Sequence, residues 1–367
     1  MSNTRIVLTA GFAMFSMFFG SGNLVFPLVA GYKTQCMFSY TLVGWIITAV
    51  IVPFIGVLGF IRSEGNRDAY YANLGKIGAF SVVLFIFMLV GPFGIIPRCM
   101  LVSFGGFRLM YPEFPVWVFS GLFGLALIAL SWEKNRLVEI IGVFLTPFKL
   151  GGLAILIIAG LWLAPEIEHV ATPAKECFGY GLKIGYQTMD LMGATLIACS
   201  IYEYLRKQAG PSFGKKELFK LGVLSSMLGG GILCVVYYGF MALGAHYAPD
   251  LVGLKQVQFL AAIAQKTLGN YSAMVVSVTL AVSCLATATL VTTMWTDFLY
   301  KDILRKRVSS HVCLIVSVCV AFGTSLLGFK KIMSFLGGIL EWLYPLMIIY
   351  AIYKLFDKKK SPSPVCA

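Results

Sequence analysis

The chain has 367 residues, 59% of them apolar or aromatic and only 12% charged, with a formal net charge of +13 and a mean hydropathy of +0.85. A soluble chain of this length would form about two or three domains with roughly a quarter of its residues charged. Too few polar residues are present to cover such surfaces, so composition excludes a soluble enzyme, a nucleic-acid binder and a disordered protein. It implies a polytopic membrane protein. The pI of 9.3 does not point to nucleic acid, because the basic residues form short clusters between long apolar runs.

Ten runs are long and apolar enough to cross a hydrocarbon core of about 30 Å. In chain order they are Ile6–Ala30, Phe38–Ile61, Ile77–Ser103, Val116–Trp132, Leu137–Leu163, Gly179–Tyr204, Leu221–Ala245, Ser272–Leu299, Val312–Leu327 and Ile332–Leu355. They lack the alternation of a barrel strand, so the fold class is all-α. The stretch Leu254–Thr267 is short and carries Lys255 and Lys266. It reads as a helix lying across the outer face. The N-terminal run follows Arg5 without a small-residue cleavage site, so it reads as a first span and not a removed signal. Residues 356–367, with Lys358–Lys360 and Ser-Pro-Ser-Pro, read as a cytoplasmic tail.

Lys and Arg placement orients the spans. With the N-terminus inside, 19 of the 29 basic residues fall in cytoplasmic segments and seven in the opposite loops. Both termini are therefore expected in the cytoplasm, and the protein in a bacterial cytoplasmic (inner) membrane. The nine Cys are scattered without CxxC spacing, and the three His lie at the ends of apolar runs. Neither set supports metal or redox chemistry, and no cofactor is expected.

Ten spans divide into 6–163 and 179–355, two five-helix halves of opposite orientation. That is the arithmetic of an inverted repeat within one transporter domain. A matched pair of interrupted helices, one opening each half, is the sequence pointer to a transport site. Span 1 reads FFGSGNLVFP, with Gly20-Ser21-Gly22-Asn23 at mid-depth. Span 6 reads YGLKIGYQTMD, with Gly179, Gly181 and Gly185 before Thr188-Met189-Asp190. Glycines beside polar residues disfavour continuous helix and leave backbone groups facing a ligand, although Gly also serves close helix packing.

The stretch FSMFFGSGNLVFPLVAG resembles the first-helix signature of the branched-chain amino acid carriers of the LIVCS (BrnQ-type) family. GPFGIIPR in span 3, GYQTMDLMGA in span 6 and LEWLYPLMIIY in span 10 are similar to further elements of that family, in order. The resemblance covers nearly the whole chain. It implies a LeuT-like 5+5 fold of the amino acid–polyamine–organocation superfamily, with sodium-coupled symport of leucine, isoleucine and valine by alternating access. Family members usually carry two more spans at the C-terminus, an absence expected to bear on oligomeric contacts more than on transport.

An α-amino acid has a carboxylate, an ammonium and a side chain, and each needs a partner. The amides of Gly20, Ser21 and Gly22 open the second half of span 1, where the positive helix end suits a carboxylate. Asp190, ionisable at mid-bilayer, is a functional-site residue by default. It can face an ammonium or a cation, or cap the second half of span 6. Phe18, Thr188 and Met189 flank the breaks and complete the expected substrate site, with Phe19 a further candidate for the apolar wall.

Asn23 offers a hard oxygen, and the resemblance implies a first sodium there. It also implies a second sodium between spans 1 and 8, held by the Ser16 and Phe19 carbonyls with Ser283 and Thr287. Those two hydroxyls share a helix face, and each can instead bond its own helix backbone. Lys149, about 18 Å into span 5, is a candidate to replace that cation, which would make coupling protonic or absent. Arg98 and Glu341 lie about 8 and 14 Å from the outer ends of spans 3 and 10, within reach of each other as a gate. A channel would want a repeated pore ring and an intramembrane hydrolase a nucleophile–base pair, and neither pattern is visible. A non-transporting sensor of the same fold stays open. The expected partners are an amino acid, a coupling cation and the lipid bilayer.

Overall fold

The structure, a computed structural model, describes residues 3–132, 137–167, 173–210 and 213–357, and of 137–149 and 270–273 the backbone alone. All regular structure among the described residues is helical. The first five spans comprise α1 (Asn3–Phe18) and α2 (Ser21–Thr34); α3 (Phe38–Ile46) and α4 (Val52–Arg62); α6 (Gly75–Val90) and α7 (Ile96–Met110); α8 (Val116–Trp132); and α9 (Leu137–Trp162). Between the second and third lies the short α5 (Arg67–Tyr71). The remaining helices are α10 (Ala174–Tyr186), α11 (Asp190–Ala209), α12 (Lys215–His246), α13 (Phe259–Leu268), α14 (Asn270–Phe298), α15 (Ser310–Ser325) and α16 (Phe329–Phe356). Each apolar run of the sequence thus becomes helix, and α13 occupies the short stretch read as a surface helix. The C-terminal tail from Lys358 lies outside the described residues.

Both expected breaks are present. Helix stops at Phe18 and restarts at Ser21, with Gly20 extended at φ −102°, ψ −165°. The second break runs from Gln187 to Met189, and Met189 holds a left-handed conformation at φ 61°. A non-glycine residue there costs about 1–3 kcal/mol and persists only where its surroundings fix it. Three wide π turns were not legible beforehand, at Ile47–Ile51, Gly91–Ile95 and Leu299–Ile303. The first two abut the second break. A methyl on Gly185 would fall 2.0 Å from Thr48 Oγ1, and one on Gly94 would fall 3.4 Å from Met189 Cε.

Helices pair in a regular pattern. Both α1 and α2 pack along α12, while α10 packs on α3 and α11 on α4. Small residues set the spacing. A methyl on Gly31 would lie 1.8 Å from the Met241 carbonyl oxygen, and one on Gly244 would lie 2.1 Å from that of Leu28. Between α3 and α10 the same holds for Gly44 against Phe178 O (2.3 Å) and Gly181 against Thr41 O (2.1 Å). Backbone meets backbone at these points, the contact that small residues permit between membrane helices. On the other side of the bundle α7 packs along α14, and α8 along α15.

Charged helix ends collect on one face. Glu64 pairs with Lys215, Arg67 with Asp302 at 2.9 Å, and the buried Lys354 amine donates to Asn73 Oδ1 and Asp357 Oδ2 at 3.3 and 3.2 Å. In the α12–α13 connection Asp250 pairs with Lys266 of α13, and Lys33 of α2 lies over the Tyr180 ring of α10.

Gly31→Ala is expected to remove the monodisperse peak in detergent size-exclusion chromatography or to lower the melting temperature, since overpacking costs about 1–3 kcal/mol. Gly231→Ala, where nothing lies within 4 Å of the added methyl, is expected to elute and melt as wild type.

Candidate functional site

The two breaks meet across a cavity. It is small, about 40 Å³, and is lined by both broken segments together with α6, α7 and α14. Phe18, Gly20, Ser21, Gly22, Asn23, Thr188, Met189 and Asp190, all singled out from the sequence, line it. Arg98 and Thr287 line it too.

Asp190 begins α11 and is 5% exposed; Asn23, in the first turn of α2, is 1% exposed. Asn23 Nδ2 donates to both carboxylate oxygens at 3.3 and 3.2 Å and to the Phe18 carbonyl at 2.6 Å. One amide thus ties the two breaks together and donates to the frayed end of α1 as well. Within the second break, Thr188 Oγ1 donates to Gly185 O at 2.8 Å and accepts from Asp190 N at 3.4 Å. Leu191 N donates to the Tyr344 hydroxyl of α16 at 3.3 Å. Tyr344 belongs to the LYP element of the sequence, but its capping role there was not foreseen.

Arg98 is 1% exposed and does not meet Glu341. Its Nη1 donates to the Gln187 carbonyl at 2.7 Å and its guanidinium lies 5.5 Å from the Phe26 ring centre. Glu341 pairs instead with Lys183 at 3.7 Å, with side chains 53% and 66% exposed. The expected Arg98–Glu341 gate is corrected accordingly. Depth along two helices was compatible with pairing, but their facing directions were not. Lys149 sits on α9, and its side chain lies outside the described residues.

The expected cation ligands divide. Thr287 abuts the first break, because a methyl on Gly20 would fall 3.2 Å from its Cγ2. Its hydroxyl donates to Ser283 O at 3.2 Å, the i−4 bond common in membrane helices. Ser283 itself faces a second, apolar cavity beside Leu24 and Leu280, and its hydroxyl has no hydrogen-bond partner. The Phe19 ring stacks on Phe15 and lies against Tyr237 and Phe240 of α12, so it does not join the cavity wall; Phe18 does. Ser16, in the last turns of α1, is half-buried.

The lining combines polar side chains, Asn23, Arg98, Thr188 and Asp190, with aliphatic ones, Val90, Leu196, Ile197, Leu290 and Met294. Along the third span Arg98 and Val90 are about 12 Å apart by helical rise. The apolar wall carried no signal in the sequence, where these residues resemble any membrane-helix side chain.

Two interrupted helices that line one buried cavity with charged and aliphatic side chains are the arrangement of a membrane transport site. Solved structures agree on the fold. The chain aligns with inward-facing Mhp1 at a TM-score of 0.67 and 14% identity, covering 94% of this chain and 76% of that one. It aligns with a substrate-bound, outward-open Na+-coupled sialic acid symporter at 0.64 and 12%, covering 96% and 79%. The profile of the branched-chain amino acid transport proteins matches residues 3–366, and the chain belongs to that family. It is 28% identical to the branched-chain amino acid transport system 3 carrier protein of Pseudomonas aeruginosa, over 94% of this chain and 79% of the relative. With the BrnQ permease of Lactobacillus delbrueckii subsp. lactis it shares 29% identity over 96% and 82%.

The exposed Lys183–Glu341 pair is worth about 1 kcal/mol or less. Glu341→Gln is therefore expected to leave equilibrium leucine binding within about threefold of wild type, read by ligand-induced thermal shift. A loss of tenfold or more would return Glu341 to the site.

Proposed function

We propose that the protein imports leucine, isoleucine and valine across a bacterial cytoplasmic membrane by sodium-coupled symport and alternating access. The observation that carries this reading is the mixed lining of the cavity: opposite charges and a helix N-terminus together with aliphatic side chains. An amphiphile with a zwitterionic head and a branched aliphatic tail fits that lining. The names of its relatives supply the substrate class. A single methylene is worth only about 1–3 kcal/mol of discrimination, so the three amino acids share the site.

In this reading the substrate ammonium faces Asp190 and the carboxylate faces the first N–H groups of α2, which have no partner within the helix. Asn23 contributes its amide oxygen to a sodium ion beside the carboxylate. Thr287 contributes to a second ion with the Ser16 and Phe19 carbonyls; Ser283, turned toward the other cavity, would join only after α14 rotates. The pairing of α1 and α2 with α12, and of α10 and α11 with α3 and α4, supports the 5+5 inverted repeat. Shifting every span by five exchanges those two sets. The basic face then lies in the cytoplasm with both termini.

Purified protein in proteoliposomes is expected to accumulate leucine, isoleucine and valine, but not lysine or glutamate, and to slow when choline replaces sodium. Equal competition of leucine uptake by glutamate would contradict the site, because a second carboxylate meets only aliphatic wall. A requirement for a pH gradient in place of sodium would move the coupling to protons.

Asp190→Asn is expected to abolish uptake while eluting as wild type, because the isosteric amide keeps the break but loses the charge. Unchanged transport kinetics in that variant would reduce Asp190 to a helix cap.

A further inference from the structure

Arg98 is a buried cation with few partners. Among the described residues its guanidinium makes one hydrogen bond to oxygen, from Nη1 to Gln187, and Nε has no partner. No carboxylate lies within ion-pair distance of it among the described residues. An arginine has five N–H donors in a planar fork, and a charge deep in a membrane bundle is costly unless paired or solvated. Its position explains what it can pair with. A methyl on Gly22 would fall 3.1 Å from Arg98 Nη2, so the guanidinium lies against the first turn of α2. Two sources of positive potential, the fork and the helix N-terminus, converge on one part of the cavity wall.

Asp190 presents the complementary case. It accepts from the neutral Asn23 amide and lies within no ion pair among the described residues, although it shares the cavity with Arg98. The two opposite charges are held near each other without closing on each other.

We infer that Arg98 binds the substrate α-carboxylate, together with the α2 N-terminus, while Asp190 takes the ammonium. This rests on the amino-acid reading of the site and assigns to Arg98 the recognition of one functional group. The two side chains then take the opposite charges of one zwitterion in a shared cavity. A ligand without the carboxylate leaves the guanidinium unpaired, so the site selects for a free α-carboxylate and not merely for an aliphatic amine. Gly22 is glycine because a side chain there would displace the fork.

Ligand affinity in detergent tests the assignment, with leucine compared against leucinol, which has the same ammonium and side chain but no carboxylate. Wild type is expected to prefer leucine by at least about a hundredfold, the size of a charged hydrogen-bonded pair in a dry site. Arg98→Gln is expected to cut that preference at least about tenfold, leaving the part that the α2 N-terminus supplies. Arg98→Lys, which keeps the charge and loses the fork, is expected to fall between and serves where the Gln variant is not monodisperse. If both ligands weaken alike in these variants, so that the ratio stays at its wild-type value, Arg98 only anchors the Gln187 carbonyl and the inference is overturned. If wild type binds neither ligand, the amino-acid reading fails first and this assignment falls with it.

Discussion

A helix interrupted inside hydrocarbon frees backbone groups that no water can reach, and each costs several kcal/mol if left unmatched. The fold is organised around that constraint. Asn23 satisfies the Phe18 carbonyl at the first break and reaches Asp190 at the second. Tyr344 accepts from the start of α11, and Arg98 donates to the end of the turn before it. Three helices, α2, α7 and α16, thus lend side-chain polar atoms to two short gaps. The first N–H groups of α2 belong to the cavity itself, which is what lets a break serve as a binding site.

Much of this was legible in the amino-acid sequence. Hydropathy over twenty residues marks a span because the bilayer thickness fixes its length. Gly20 and Gly22 beside Asn23, and Gly185 before Asp190, mark the breaks because glycine beside polar residues interrupts helix in an apolar environment. What stayed hidden has a common physical cause. Sequence gives depth along an axis but not which helix faces which. Arg98 and Glu341 had compatible depths, yet Glu341 faces Lys183. Phe18 and Phe19 are adjacent and differ by about 100° around the helix, so one lines the cavity while the other packs on α12. The two π turns beside the second break depend on tertiary packing against it, and Gly91-Pro92 alone does not specify one.

The chemistry of the cavity follows from asymmetry along a single span. On the third span, Arg98 and Val90 bracket the π turn, so one continuous helix supplies both the charged and the aliphatic wall. The wide turn lets Ile95 and Arg98 face the same space while Pro92 and Pro97 remove donors that the irregular ladder would otherwise leave unmatched.

The glycine contacts separate the bundle mechanically. Where α2 meets α12 and α3 meets α10, a glycine faces a neighbouring carbonyl oxygen so closely that sliding is blocked by atoms that cannot rotate away. At the first break the neighbours are side chains: Gly20 meets the Thr287 methyl, and Gly22 the Arg98 fork and the Phe26 ring. Side-chain ends yield by rotamer changes where backbone atoms do not, so added bulk meets a softer neighbour at Gly20 than at Gly31. Asn23 thus sits on a helix keyed to α12 by its glycine, while Arg98 reaches the same cavity from α7.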